Sequence, residues 1–329
     1  MAILNNTQVV DRTGAINLIK PAPKLIDSLG VYDKEFVGSD AVTFDVKADE
    51  LKVLRDKVRN TFDKNGLDAT SYDIHTMAIP HYPIEGAITR DRLAGVRGFG
   101  KETEQAVEQA VSEELIRQRE LHSNTAEFIK ANMLIKGQLV TEHYGTIDMA
   151  AEFGVTRPSA TVSAAALVRS IREATALSQA GLRNGSFAKG YIVLAGSDFF
   201  NTLITSESIE RAYSMAQVGN PLRNELGEAA AGYDMFTFGN VSFINYADTF
   251  GGNAPLLGAN QAVLFPRAKL GQIFYGPVSK LSGIGGRGAE LFASSYRDPK
   301  DRFVEVESEQ NILPVITQFA STVALTMGA

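Results

Sequence analysis

Apolar and polar positions along this chain follow two different periods, and the longest regular stretch is helical. From about Lys101 to Lys136, apolar side chains return every three or four residues. Val107, Val111, Leu115, Leu121, Phe128 and Ile129 form one stripe. The stretch has no Pro or Gly inside it and stops at Gly137, a natural C-terminal cap. About 36 residues at 1.5 Å each make a rod of roughly 54 Å. Glu102, Glu104 and Glu108 near its start and Lys130 and Lys136 near its end suit the helix dipole. Glu113 and Arg117 have the spacing of an i,i+4 pair. A coiled coil is the weaker reading, because the stripe lacks a sustained a/d heptad. A helix about three times the usual length has to brace something wide.

On either side the period is two. Val42, Phe44 and Val46 alternate with Thr43, Asp45 and Lys47, and a second strand is expected around Tyr72 to Ile79. Between them Leu51, Leu54, Val58 and Phe62 predict a short amphipathic helix, followed by a turn at Asn65-Gly66. Pro80 and Pro83 keep the next segment extended. Residues 31–93 thus read as a two-stranded arm with a small insertion. Residues 1–30 carry Pro21 and Pro23 and no sustained period. A segment of this length cannot bury Ile3, Leu4, Val9, Val10, Ile16, Leu18 and Ile19 against itself. Those side chains are expected to need another surface, such as a neighbouring subunit; the plain alternative is a disordered terminus.

After the rod, residues 138–158 predict a hairpin or short strands with Gly145 at a turn, and Ala164 to Gln179 a second helix. A mixed pattern follows. Gly190 to Gly196 reads as a buried strand. Ser197 and Asp198 start a helix, and residues 208–217 continue as helix. Met235 to Tyr246 is a hairpin turning at Gly239-Asn240. Ala262 to Pro266, Gln272 to Gly276, the pair Val304 and Val306, and the set Val323, Leu325 and Met327 add strands. There is no internal repeat.

Size and charge narrow the function. A chain of 329 residues can build a sizeable core and two lobes. Net charge is −6, with no Lys/Arg cluster, which argues against sequence-specific nucleic-acid binding but not against enclosing nucleic acid. With no cysteine, disulfides and thiolate metal sites are impossible. No stretch of 18 apolar residues predicts a membrane span, and the N-terminus lacks the basic start and apolar block of a signal peptide. Assembly in a cytoplasm is the expectation.

The chemical motifs dissolve on inspection. Gly95 to Lys101 matches a P-loop up to the position where Ser or Thr should ligate magnesium. Glu102 stands there instead, and no buried strand precedes the loop. The better reading is a hinge into the long helix, with Arg97 and Phe99 as candidates for contact with a neighbour. Gly283 to Gly288 fits G-x-G-x-x-G by letters, yet neither the strand before nor the long helix after is present. His75, His81, His122 and His143 show no metal-ligand spacing; His122 is expected on the surface and His81 as a packing residue. No Ser is marked as a triad nucleophile, since Gly196 to Asp198 reads as a helix cap. No catalytic, cofactor or metal site is expected.

Several ordered stretches do carry a resemblance. Ile79 to Gly100 lies before the long helix and Ile135 to Val155 after it. Leu194 to Tyr213, Ala262 to Pro277 and Asp301 to Met327 complete the series. In this order they resemble the major capsid proteins of tailed bacteriophages, of the lambda-type capsid protein E family. The resemblance runs from about residue 36 to the C-terminus, and it implies the α+β Hong Kong 97 capsid fold. Residues 1–30 would be the N-terminal arm and 31–93 the extended loop over a neighbour. Residues 94–159 and 291–329 would form the peripheral domain with spine helix 101–136, and 160–290 the axial domain. The implied function is a head protein that assembles as pentamers and hexamers into an icosahedral shell. The shell would enclose double-stranded DNA without binding its sequence. Scaffolding, portal and decoration proteins are the implied partners, with assembly in the host cytoplasm and residence in the virion. Lys47, Lys52, Lys57 or Lys64 would be the candidates for an isopeptide crosslink. The intersubunit-contact candidates are Ile16, Leu18, Phe44, Val46, Ile79, Tyr82, Arg97 and Phe99. The rivals are a compartment shell of the same fold and an enzyme using nucleotide at Gly95 to Lys101.

Overall fold

The computed structural model describes residues 9–22, 24–47, 72–95, 103–182, 187–207, 209, 232–247, 255–280 and 285–328. The expected helix and turn between residues 51 and 66, the helix at 208–217 apart from residue 209, the P-loop-like Gly95 to Lys101 beyond residue 95, and Arg97, Phe99, Lys52, Lys57 and Lys64 lie outside that set.

The chain begins with a two-residue strand β1 (Val10–Asp11) and two short helices, α1 (Thr13–Leu18) and α2 (Leu25–Leu29). Strand β2 (Tyr32–Phe36) precedes a hairpin of β3 (Ala41–Lys47) and β4 (Tyr72–Ala78). Then come β5 (His81–Thr89), α3 (Arg90–Gly95) and the long helix α4 (Thr103–Lys136). A small hairpin of β6 (Gln138–Thr141) and β7 (Gly145–Asp148) leads to α5 (Met149–Phe153), β8 (Ser159–Val162) and α6 (Leu167–Ala180). The rest is β9 (Tyr191–Ala195), α7 (Ser197–Ile204), β10 (Met235–Phe238), β11 (Val241–Asn245), β12 (Gln261–Pro266), β13 (Gly271–Tyr275), β14 (Phe292–Arg297), β15 (Phe303–Ile316) and β16 (Val323–Met327).

Two six-stranded sheets organise these elements. One runs β1-β14-β15-β13-β2, with β5 also paired to β15; the other runs β10-β11-β9-β12-β16-β8. Strand β15 holds the first sheet together, because its 14 residues are long enough to pair with β14 and β5 in one half and β13 in the other. Helix α4 packs on β15, while α6 and α7 cover one face of the second sheet. One continuous core contains Leu134 from α4, Ile192 and Phe265 from the second sheet, and Ile273 and Ile312 from the first.

Several expected boundaries move. Strands β2 and β5 belong to the first sheet, so the excursion read as residues 31–93 shrinks to the β3–β4 pair. Strand β13 also lies in the first sheet, and β16 crosses to the second, so neither lobe is one continuous segment. Hydrophobic pattern identifies a strand but not its neighbours, and long-range pairing decided these cases.

The N-terminal segment differs most. Ile16 is fully buried against Ile88, Val111, Leu115, Leu291 and Val306 of its own chain. The Arg12 amide donates to the Ala293 carbonyl at 2.8 Å, Asn17 Nδ2 donates to the Leu291 carbonyl at 2.9 Å, and Arg12 pairs with Glu108 at 2.6 Å. Leu25 and Ile26 enter the main core. The described part of this segment is therefore docked at home, and only Val9, Val10 and Leu18 keep large exposed apolar surface.

The long helix is also less simply amphipathic than its sequence reads. Val111 and Leu115 are buried near its start, and Ala126, Ile129, Met133 and Leu134 near its end. Between them the buried positions are Glu114, Gln118 and His122, four residues apart on one face, whereas Leu121 is exposed. Glu113 accepts from Gln109 at 2.9 Å, and Arg117 lies 3.7 Å from Glu114.

Candidate functional site

The β3–β4 hairpin is built to project. Its base is closed by the Ile79 amide, which donates to the Asp40 carbonyl at 2.8 Å, and Val42 and Met77 are buried in the main core. Side chains on β4 alternate. His75 and Met77 face the body; Ile74 and Thr76 face away. His75 Nδ1 stands 3.4 Å from Glu152 Oε2, and its ring lies 5.7 Å from that of Phe153, which ties the hairpin to α5. A cleft of about 820 Å³ opens beside the base, lined among others by Asp40, His81, Tyr144, Ser279 and Lys280.

That cleft contains a Ser, a His and an Asn, but not a hydrolytic triad. Asn311 Nδ2 donates to the Pro277 carbonyl at 2.5 Å, which leaves Asn311 Oδ1 as an acceptor; His81 Nδ1 donates to it at 2.7 Å. The Ser279 hydroxyl, 3.4 Å away, approaches the same ring nitrogen. A triad needs the nucleophile and the orienting group on opposite nitrogens. Among the described residues no group of His, Cys, Asp and Glu side chains has metal-binding geometry. No helix among them is long and apolar enough to cross a membrane.

The chemistry on offer is that of surfaces. Four large apolar side chains are strongly exposed in well-separated parts of the chain: Leu18 (83%) in α1, Ile74 (71%) on β4, Val140 (76%) on β6 and Phe187 (86%) in the segment before β9. Single exposed apolar side chains are common on protein surfaces, so these four are candidates for contact and do not form a patch. One face of the first sheet is acidic. Glu305, Glu307 and Glu309 alternate along β15, and Glu85 of β5 sits directly opposite Glu307. Lys280 Nζ donates to Glu307 at 2.6 Å and to Ser294 at 2.5 Å. Partial burial, with Glu85 and Glu307 close by, raises the pKa of Glu305.

The candidates read from sequence divide accordingly. Leu18 is exposed, while Ile16 and Ile79 are consumed by the chain's own cores. Tyr82 is half-buried against the main core, and burial pushes its phenol up to about 12, with Tyr144 adding to the effect. Phe44 and Val46 lie on β3, in register with His75 and Asp73. Sequence reasoning missed Ile74, Val140 and Phe187. The first two lie on strands that pattern did find, and a period-2 count from Met77 or Leu139 would have placed them on the outer face. His122 was expected on the surface and is buried, its Nε2 2.9 Å from Ser308 Oγ. It shares one helical face with Glu114 and Gln118, which are buried beside it although they too are polar.

Comparison with known proteins gives one consistent answer. The profile of the family described as phage major capsid protein E matches residues 8–327. The major capsid protein of Pseudomonas phage KPP10 is 28% identical, over 96% of this chain and 95% of that one. A crystallised prophage protein from E. coli CFT073, described as a capsid protein, superposes with a TM-score of 0.62 at 13% identity, covering 98% of this chain and 100% of that one. The mature capsid of bacteriophage PhiM1 gives 0.55 at 12% identity, over 93% and 87%.

Proposed function

The chain belongs to the phage major capsid protein E family, and on that premise we propose that it is the head subunit that closes into an icosahedral shell around double-stranded DNA. The observation that carries this reading is the family match over residues 8–327, joined by a capsid fold shared over 98% of the chain; the exposed apolar side chains of α1, β4, β6 and the approach to β9 are the candidates for its contacts. A subunit in a shell meets different surfaces of its neighbours on several sides at once. Heterologous contacts close into rings when the rotation between neighbours allows it. Pentamers and hexamers of this chain would be the building units, and the protein would act as a structural part and not an enzyme.

The projecting hairpin supplies reach. Anchored at Val42, Met77 and Ile79, it carries Ile74 outward to lie on a neighbour. The acidic sheet face fits a container, since carboxylates leave packaged phosphates ungripped and release no counterions on contact. Scaffolding, portal and decoration proteins would be its partners, the host cytoplasm its place of assembly and the virion its destination.

The test is electron microscopy of the purified protein, expressed with and without its adjacent genes. Closed, uniform particles in at least one preparation are expected. A compact monomer at high concentration in both would defeat the reading.

A further inference from the structure

The N-terminal segment crosses α4 along a seam of unusual polarity. Lys24 Nζ donates to Asn124 Oδ1 at 2.5 Å, the Ile26 amide donates to Glu127 Oε1 at 2.8 Å, and Lys130 Nζ pairs with Asp27 at 2.5 Å. The Tyr32 hydroxyl closes the seam by donating to the Lys130 carbonyl at 3.0 Å. Helix α2 receives no side-chain cap from Lys24, its own N-cap residue, so Glu127 caps it from across the seam.

Glu127 is the weak point. Its side chain is buried, and Oε2 has no hydrogen-bond partner among the described residues. The two cations within reach already have partners: Lys130 is held by Asp27 and Lys24 by Asn124. Asp27 adds a like charge from α2, and the Tyr32 phenol facing it from β2 stays neutral because burial and Glu127 itself raise its pKa. A buried carboxylate with one oxygen unpaired is costly, whereas the neutral acid still accepts from the Ile26 amide.

We propose that the seam between residues 24–32 and α4 is a proton-operated latch, closed while Glu127 carries a proton and loosened when it ionises. Opening would free Leu25 and Ile26 from the main core, and with them the segment that leads back to Ile16. The latch is a property of one folded chain and stands apart from the shell reading.

The sign follows from linkage. Burial pushes Glu127 up to about 7, against the pull of the Ile26 amide, with Asp27 raising it further and Lys130 and Lys24 lowering it. In the opened state the carboxyl returns to its ordinary value near 4.5. The closed form therefore binds the proton more tightly between these values, and opening becomes about tenfold easier per pH unit from about 5 to 7, then levels off.

Hydrogen exchange at the Ile26 amide tests this on the unassembled protein, after correction for intrinsic exchange rates. Protection should fall along that slope in the unaltered chain. In Glu127→Gln, which keeps the accepting oxygen and removes the charge, protection should be high and independent of pH. A flat profile in the unaltered chain overturns the proposal without recourse to any variant. So does a Glu127→Gln profile that slopes like the original.

Discussion

Ser308 on β15 and His122 on α4 meet at 2.9 Å between Oγ and Nε2, and a third residue fixes which of them donates. Gln118 Nε2 donates to the Val306 carbonyl at 2.9 Å, so Gln118 Oε1 is left to accept, and the Ser308 hydroxyl donates to it at 2.6 Å. The proton of Ser308 is thus spent, and His122 must donate from Nε2. Its Nδ1 is then a bare nitrogen, buried and without a partner among the described residues. A second proton would have to sit there, with no acceptor in reach. Burial is the main cause that holds His122 down to about 4, and Arg119 adds to it.

The consequence is a stability that depends on acid. Unfolded His122 takes a proton near 6.5 and folded His122 only near 4, so the unfolded chain binds more protons between these values. Stability from this site is complete above pH 6.5 and is lost as pH falls to 4, by roughly 3 kcal/mol in all. Glu127 slopes the other way over nearly the same range, because its folded pKa is raised. Urea unfolding of the unassembled protein should therefore be nearly flat with pH, while His122→Gln unmasks a rise in stability on acidification from pH 7 to 4.5. A variant with the same profile as the original protein would refute the assignment.

The end of α4 makes a second, independent prediction. Gly137 has φ +72°, and a Cβ added there would overlap the ring of Phe319. Arg157 lies over the same ring at 5.4 Å and donates to the Leu134 carbonyl at 3.2 Å and to that of Ile135. It closes carbonyls that the helix itself leaves open. Gly137→Ala should cost about 1–3 kcal/mol through backbone strain and overlap. Arg157→Ala should cost about 1–3 kcal/mol through acceptors left unpaired. Phe319→Leu should recover part of the Gly137→Ala loss, since it removes the clash. Urea midpoints read all three, and full additivity of Gly137→Ala with Phe319→Leu would show that the ring is not the obstacle.

How much of this was written in the sequence depends on the range of the interaction. The long helix, the hairpin at Gly239 and the strands at Val304 and Val323 were legible because their periods are local. Gly137 was legible as a stop because a left-handed cap leaves a glycine in the string. The docking of Ile16 was not, because the slot that receives it is made from α4, β5, β14 and β15 together. The burial of His122 was hidden for a related reason. Its partner is 186 positions away, and a Ser in an alternating strand gives no sign of which histidine it will meet. Exposed Ile74 and Val140 were legible in principle, since strand parity alone puts them outside. The apolar type drew attention to the strand core instead.

Ile79 and Ile74 make the third prediction by contrast. Both are large β-branched side chains near the same hairpin, but Ile79 is buried and Ile74 exposed. Ile79→Ala should lower the stability of the unassembled chain by about 2–4 kcal/mol, as a cavity in the core does. Ile74→Glu should leave the unfolding midpoint within about 0.5 kcal/mol, as exposed substitutions do, yet abolish or slow particle formation. Light scattering during assembly separates the two. Normal assembly of Ile74→Glu would remove that side chain from the interface.

The last prediction is where to cut. Removing residues 1–30 is a poor test of assembly, because it strips Ile16, Leu25 and Ile26 from the chain's own cores. The hairpin offers a cleaner one. Thr43 and Thr76 stand directly opposite each other on β3 and β4, with hydroxyls 3.1 Å apart. Bonded pairs alternate outward from Asp40–Ile79, so Val42–Met77 is the next one that a tight turn can close; replacing residues 43–76, that threonine pair included, by Asn-Gly would join Val42 to Met77 through a two-residue turn whose twist suits an antiparallel pair. Val42, Met77 and the Ile79–Asp40 hydrogen bond all survive, so the body keeps its core. What is lost is the outer reach, Ile74 with it, and the His75–Glu152 tie to α5. The shortened protein should unfold cooperatively, with a midpoint close to that of the full chain, and remain unassembled in sedimentation and electron microscopy. Particles of normal size from it would mean that the hairpin is not what joins the subunits.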